Sequence, residues 1–487
     1  MSAPAVNGDD MSFKIIQPAL EHGLAARVGS LATANRTPLD TPTFVGVTSR
    51  GAIPHLTPDV ISKHTEIRAA YMALEDFIEK SSKRKSPAIF SLPKDSCRPL
   101  HAYTATPSTT YTILAPRRTP AVVAQNGNGP KHISVLTSTG FERVTCENFC
   151  TAVEQIMPDI VVPPADLTFS STTPGAKRQV YMVKRTQEWL DEFFTHLDPE
   201  KTLKPSGIRV FAPLLPLSYP MQWEYLKHMA EEHAAKLNGL TLYDVKILHD
   251  LKNHSQLLDL PRMSMESPES PQQILRHVRL GVDIFASPLV NNVSDAGIAL
   301  NYSFAPSSTG PSGLQPLGID MSSEEHQTSV KPFMEGCGCY ACTKHHRAYL
   351  QHLMNAREML GWTLLQIHNH HVMSEFFRQI RLAIADGTFE EKATQFNKCY
   401  ESELPLGTGV RPRARGYHFK PEAAQPKINK APWNRLEGDG TPDQVAAAEA
   451  AGLAVTGPAA GGSETPLVPE ADAAALAKEG FAKIERA

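Results

Sequence analysis

The sequence predicts an α/β chain whose main body is a (β/α)8 barrel of the TIM type. Three observations carry that prediction. About eight short, β-branched runs recur between Phe13 and Phe419, and longer helical patterns separate several of them. Several of these runs look buried on both faces, as parallel strands are. No Gly-x-Gly-x-x-Gly opens a helix after an early run, which weakens a doubly wound alternative.

In chain order, residues 1–11 are small and polar and form an expected flexible N-terminus ahead of a body spanning 12–420. Strands are expected at 41–48, 86–92, 111–116, 132–138, 159–164, 207–215, 243–249 and 282–288. Helices are expected at 187–197 and 221–237; the second puts Trp223, Leu226, Met229 and His233 on one stripe. Residues 103–145 read as hairpins, an insertion in the barrel. From 421 to 487 the composition turns rich in Ala, Gly and Pro, with almost no aromatic residues. Such a tail buries too little surface to fold, so it is expected to be mostly disordered, with a short helix near 470–486.

Composition excludes several function classes. Lys and Arg total 48 against 51 for Asp and Glu, a formal net charge of −3 among 487 residues, so any nucleic-acid contact must come from local patches. No apolar run approaches the ~18 residues that span a bilayer. The opening MSAPAVNGDDMSFK lacks the charged and apolar regions of a secretory signal. Seven cysteines is an odd count, and Cys97, Cys146, Cys150 and Cys399 are scattered. That pattern points to reduced thiols and a cytoplasmic location.

The remaining three, Cys337, Cys339 and Cys342, fall within six residues. A Cys-x-Cys-x2-Cys run offers three soft thiolates from one loop, with Gly336 and Gly338 allowing a sharp bend. Zinc completes such a set with a fourth ligand in a closed, structural tetrahedron. A helix is expected over 344–361, with Leu350, Leu353, Ala356 and Leu360 on one face. A second helical stretch follows, carrying His368, His370 and His371 and then Phe376, Ile380 and Ile384. A hairpin of the two returns those histidines to the cysteine loop, and composition does not choose among the three. His345, His346 and His352 read as solvated helix residues.

The cysteine run, then 25 residues, then His368-Asn369, resembles the zinc motif of the tRNA-guanine transglycosylase (queuine tRNA-ribosyltransferase) family. So does the intervening HHRAYLQHLMNAREMLGWTLLQIHN, with Arg347-Ala348-Tyr349. Thr41-Pro42-Thr43-Phe44 is similar to the family's early strand, and Gly281-Val282-Asp283-Ile284-Phe285 to its nucleophile strand. The resemblance covers roughly Phe13 to Tyr400. It implies a (β/α)8 barrel with a zinc-binding insertion near the C-terminus, at about 333–400, and His368 as the fourth ligand of one structural zinc.

The family exchanges a base at the tRNA wobble position: one aspartate attacks the ribose C1′, and a second moves protons. Catalytic members carry Gly-x-Asp-x-Phe-Asp-Cys-Val on the nucleophile strand. Here the attacking position is Ala286, and a methyl group cannot attack. The family's Asp-Ser-Gly-Gly-Phe-Gln segment is matched only by Asp95-Ser96-Cys97-Arg98 in SPAIFSLPKDSCRPLH. Its glycine-rich base loop is matched loosely by LPRMSMESP, where Pro261 offers no N–H and Arg262 is expected to fill the pocket. Asp283 or Asp295 would have to replace the lost nucleophile.

An intact zinc motif beside a dismantled site resembles the non-catalytic subunit of the eukaryotic heterodimer. The resemblance implies a catalytic partner subunit, tRNA as the shared substrate, and peripheral association with the mitochondrial outer membrane. Two basic clusters suit phosphate contacts: Lys80, Lys83, Arg84 and Lys85, and Arg411, Arg413, Arg415 and Lys420. The competing readings are an active transglycosylase with a rearranged site and a zinc-stabilised scaffold unrelated to tRNA.

Overall fold

A computed structural model describes residues 12–19, 25–33, 36–79, 86–93, 98–124, 127–137, 140–169, 172–305 and 313–412. The flexible N-terminus expected at 1–11 and the tail at 421–487 lie outside these residues, as do the first basic cluster, Asp95, Arg413, Arg415 and Lys420.

A ring of parallel strands organises the chain. The sheet has nine ladder segments, and two of them, Thr43–Phe44 and Gly46–Val47, are halves of one run interrupted at Val45. The first half pairs with Ile284–Phe285 and the second with Ala69–Ala73. Eight strands therefore close on themselves as a TIM-type barrel. The others are Tyr111–Ala115, Ile160–Val161, Arg209–Leu214, Gly239–Leu242 and Arg262–Ser264.

Side chains alternate between two cores, as the strand period requires. Val45, Tyr71, Ile113, Phe211, Met263, Ile284 and Ala286 pack inside the ring. Ala70, Met72, Leu114, Val210, Leu240 and Phe285 face outward into the helical layer. A three-stranded antiparallel sheet, Ser12–Gln17, Val28–Ala32 and Leu39–Thr41, precedes the first barrel strand. Its Leu31 and Leu39 join the interior cluster and plug the end of the barrel where the strands begin.

The strand expectations need correction in four places. Residues 86–92 hold a 3-10 turn, Ala88–Ser91, and the second barrel strand is instead Ala69–Ala73. Residues 243–249 also form a 3-10 turn, Val245–His249, because the Asp244 carboxylate accepts the Lys246 N–H at 2.9 Å and caps it. The neighbouring strand is Gly239–Leu242. Within 103–145 only His132–Thr137 and Gly140–Thr145 form an inserted hairpin, while Tyr111–Ala115 belongs to the barrel. Arg262–Ser264 completes the ring inside the loop read as base-binding.

Two helix expectations also change. On the 221–237 stripe Leu226, Met229 and His233 are buried, but Trp223 is 47% exposed with Lys227 Nζ 5.6 Å above its ring. Each step of three residues drifts by about 60° on an α-helix, so Trp223 lies off the face the others share. The helix expected over 344–361 breaks into Arg347–Asn355 and the start of Met359–Ala385, with Arg357 at φ 56° between them. Leu350 and Leu353 are buried as expected, whereas Leu360 is 44% exposed.

Met359–Ala385 links two cores. Trp362, Leu364 and Leu365 near its start join a small cluster with Phe333, Cys339, Cys342 and Leu350. Val372, Phe376, Phe377 and Ile380 further on pack into the outer barrel core. Ala299 and Met321 belong to the small cluster too, so this region begins upstream of residue 333. Ala299 comes from a ladder of Ile298–Leu300 with Gly318–Asp320. Among the described residues no helix is long and apolar enough to cross a membrane.

Candidate metal centre and barrel mouth

Gly336, at φ 74°, takes the left-handed turn that leads into the cysteine loop; Gly338 needs no such conformation. Arg347 holds the preceding strand of loop from outside: its Nε donates to the Pro332 carbonyl at 2.9 Å and its Nη2 to that of Phe333 at 3.0 Å. Cys339 then caps the helix Tyr340–Lys344, its sulfur accepting the Cys342 N–H at 3.3 Å.

The long helix delivers His368, fully buried, into this loop. Its Nδ1 lies 3.7, 3.5 and 3.4 Å from the sulfurs of Cys337, Cys339 and Cys342. A tetrahedral zinc with ordinary bond lengths separates sulfur and nitrogen ligands by about 3.6 Å, so the four donors fit such an ion. His368 Nε2–H donates to the Leu300 carbonyl at 2.8 Å, which leaves the Nδ1 lone pair aimed at the sulfurs. Neighbouring thiols hydrogen-bond the sulfurs unevenly, pulling Cys342 down to about 3 and Cys337 to about 6 while Cys339 rises.

The geometry separates the three histidines that composition left equal. His370 points the other way, stacked on Phe44 at 5.6 Å and within 3.2 Å of the Gln366 amide. His371 lies beside Cys337, which raises its pKa, but it is outside the four-donor cluster. Asn369 ties the site to the barrel: its Oδ1 accepts the Leu300 N–H, and its Nδ2 donates to Ser294 Oγ and the Ile298 carbonyl. His345 and His346 act locally, His345 stacking on Tyr349 and His346 capping the helix Arg347–Asn355.

At the other candidate site, Ala286 ends the last barrel strand with no exposure, its N–H donating to the Ser264 carbonyl at 3.0 Å. The C-terminal end of a barrel strand is where such enzymes place reactive groups. Asp283 is at the strand's other end, fully buried, with Arg27 Nη2 donating to it at 2.7 Å and the Arg262 N–H at 2.8 Å. Asp295 is engaged by His55 at 2.9 Å.

Arg262 does not fill the mouth. It enters at the beginning of its strand, and its guanidinium donates to the Leu258 and Gly281 carbonyls. The mouth holds a cavity of about 470 Å³, lined among others by Tyr71, Arg117, Phe169, Tyr243, Met265 and Ser267. No Asp or Glu lines it among the described residues. Tyr71 also belongs to the packed interior with Ala286, and Met265 rests on that interior, so these two floor the cavity.

The third barrel strand leads into Pro116, Arg117 and Arg118 here, not into the segment matched in sequence to the family's acid. Arg117 stacks 5.0 Å from the Phe169 ring. Arg118 pairs with buried Glu75 at 2.7 Å. The Tyr71 hydroxyl donates to the Arg117 carbonyl at 2.6 Å, and burial holds that phenol well above its usual pKa. The cavity offers aromatic faces and donors. Met265 and Ser267 lie in the segment LPRMSMESP matched to the base loop; Tyr71, Arg117, Phe169 and Tyr243 carry no sequence signal, because their grouping depends on barrel closure.

The family model described as queuine tRNA-ribosyltransferase matches residues 22–402. The chain is 33% identical over 410 residues to the queuine tRNA-ribosyltransferase accessory subunit 2 of Schizosaccharomyces pombe, covering 84% of this chain and 89% of that protein. Proteins of the same name from Culex quinquefasciatus and Drosophila mojavensis are 28% and 27% identical, over 79% and 74% of this chain and 91% and 86% of theirs.

Proposed function

The chain belongs to the queuine tRNA-ribosyltransferase family, and from that premise we propose that it is the non-catalytic subunit of a heterodimeric enzyme. Its partner carries out the exchange of guanine for queuine at wobble position 34 of tRNAs with GUN anticodons. This chain dimerises with that subunit and helps position the tRNA. The observation that carries the reading is Ala286: it occupies the strand end where the nucleophile is required, buried beneath a mouth lined by no carboxylate among the described residues. The neighbouring aspartates do not replace it, because Asp283 is committed to Arg27 and Arg262, and Asp295 to His55.

Cys337, Cys339, Cys342 and His368 hold one zinc in this reading. The ion supplies folding free energy to the corner and takes no part in the exchange. The ligands are closed on four protein donors, which leaves no position for water or substrate. Arg411, exposed at the end of the described chain, is the part of the second basic cluster that the structure describes. Its companions Arg413 and Arg415 extend the same role toward tRNA phosphates. We place the complex in the cytoplasm, with peripheral association with the mitochondrial outer membrane, and read residues 421–487 as a tail that is not needed for the core.

Labelled-guanine exchange into tRNA tests the reading. This chain alone is expected to give no turnover, and adding the catalytic subunit is expected to restore it. Turnover by this chain alone would overturn the assignment. Neutralising Arg411, Arg413 and Arg415 together is expected to weaken tRNA binding by the heterodimer and flatten its salt dependence, since fewer counterions are released. An unchanged salt slope would remove this cluster from the tRNA path.

A further inference from the structure

On the outer layer of the barrel, away from the cysteine loop, Asp191, His228 and His233 bring their ligand atoms together. We infer that these three residues form a second metal site, one that takes a divalent transition ion of the zinc class on an imidazole–imidazole–carboxylate set. Asp191 comes from the helix Ala176–His196, His228 ends the helix Tyr219–His228, and His233 closes the turn that follows. All three donors lie within 4.8 Å of one another.

The backbone between the histidines is what makes the cluster. On an α-helix, residues five apart point about 140° away from each other. Met229–His233 is instead a π turn, whose wider winding stacks residue i+5 over residue i. That turn puts His228 and His233 on one face, their rings 5.2 Å apart and nearly perpendicular. His233 is also seated against Phe194 at 5.0 Å, which fixes its ring.

With both Nε2 atoms protonated, His228 donates to Asp191 Oδ1 at 2.9 Å and His233 at 2.6 Å. Protons thus occupy the positions a metal would take. A tetrahedral ion spaces nitrogen and oxygen donors by about 3.3 Å, so loading requires the carboxylate to withdraw by about 0.4 to 0.7 Å. Asp191, 44% exposed, has room to do so. Burial lowers the His233 pKa, which favours the neutral ring that a metal requires. Lys236 Nζ, 3.4 Å from His233 Nδ1, must swing out when the tautomer shifts; Lys236 is exposed at the end of the following 3-10 turn, Ala234–Lys236. Three protein ligands on an open surface leave a position for water, and the ion staples two barrel helices at this point.

The test titrates the untagged full chain with Zn2+ and, separately, Co2+, after a mild chelator has stripped weakly held metal. Bound metal is counted by elemental analysis. The expected result is one equivalent beyond the thiolate-held ion, with cobalt at that equivalent giving no sulfur-to-metal charge-transfer band. Asp191→Asn and His228→Gln are each expected to lose this equivalent and keep the first. No further equivalent in the unmodified chain would overturn the site, as would a thiolate band at that equivalent or retention of it in both variants. The cobalt spectrum of the unmodified chain decides the donor class even if a variant fails to fold.

Discussion

The cysteine corner and the barrel mouth stand at two ends of a contrast. At the corner every donor is present, and each is held by a second interaction: Arg347 behind the loop, Leu300 behind His368, Asn369 beside it. At the mouth a cavity remains, yet alanine stands at the strand end and arginines line the rim. The difference separates two demands on a fold. Removing a metal ligand forfeits folding free energy and endangers the structure; replacing a nucleophile by alanine removes only a reaction. The interior beneath the mouth is packed around Ala286, and the corner has no such freedom to change.

The largest expected effect breaks the corner. Structural zinc sites of this kind bind with roughly 10–16 kcal/mol, comparable with or larger than the typical stability of a domain. With zinc as the proposed ion, Cys342→Ser, or strong chelation, is therefore expected to unfold the region around 318–372 and to abolish metal binding there. Limited proteolysis with elemental analysis checks this; a protected, zinc-free corner would show that the thiols are held by packing alone.

Next comes the mouth. Ala286→Asp places a carboxylate among Val45, Ile284 and Met263 with no partner, at a cost on the order of 3 kcal/mol or more. Urea denaturation measures it, and a fall in midpoint without exchange activity is expected. A wild-type midpoint would mean that the interior has room for a carboxylate after all. Groups that act as a unit are strongly non-additive, so one restored carboxylate should supply little rate.

A smaller loss, about 2 kcal/mol, is expected for Asn369→Ala, which strands the Leu300 N–H and the Ile298 carbonyl in a buried setting. Thermal denaturation with zinc present sharpens the comparison, since the loss should appear with the four ligands intact. The smallest effect is His371→Ala. It should leave zinc content unchanged, whereas His368→Ala should reduce it; the opposite pattern would reassign the fourth ligand.

The corner was far more legible in sequence than the barrel. Three cysteines in six residues state their purpose locally, and the helix bearing His368 carries an apolar face that announces itself. The eight-strand count was right while several of the strands were not. Ala69–Ala73 is alanine-rich, lacks β-branched residues and is buried on both faces, so neither propensity nor alternation marks it. Val245–His249 looks like a strand by composition, but the Asp244 side chain turns it locally. Sequence carries no register for Arg262, and three residues of strand put it at the end opposite the mouth. Closure of the ring decides each of these, and no window of sequence contains it.

The central claim is that the nucleophile belongs to the partner. In the proposed reaction tRNA is joined covalently to a carboxylate, so the adduct itself names the catalytic chain. Trapping that adduct in the reconstituted heterodimer, separating the subunits under denaturing conditions and identifying the modified chain by mass tests the claim directly. The account predicts tRNA attached only to the catalytic subunit, with none on this chain. An adduct on this chain, at any carboxylate, would contradict it.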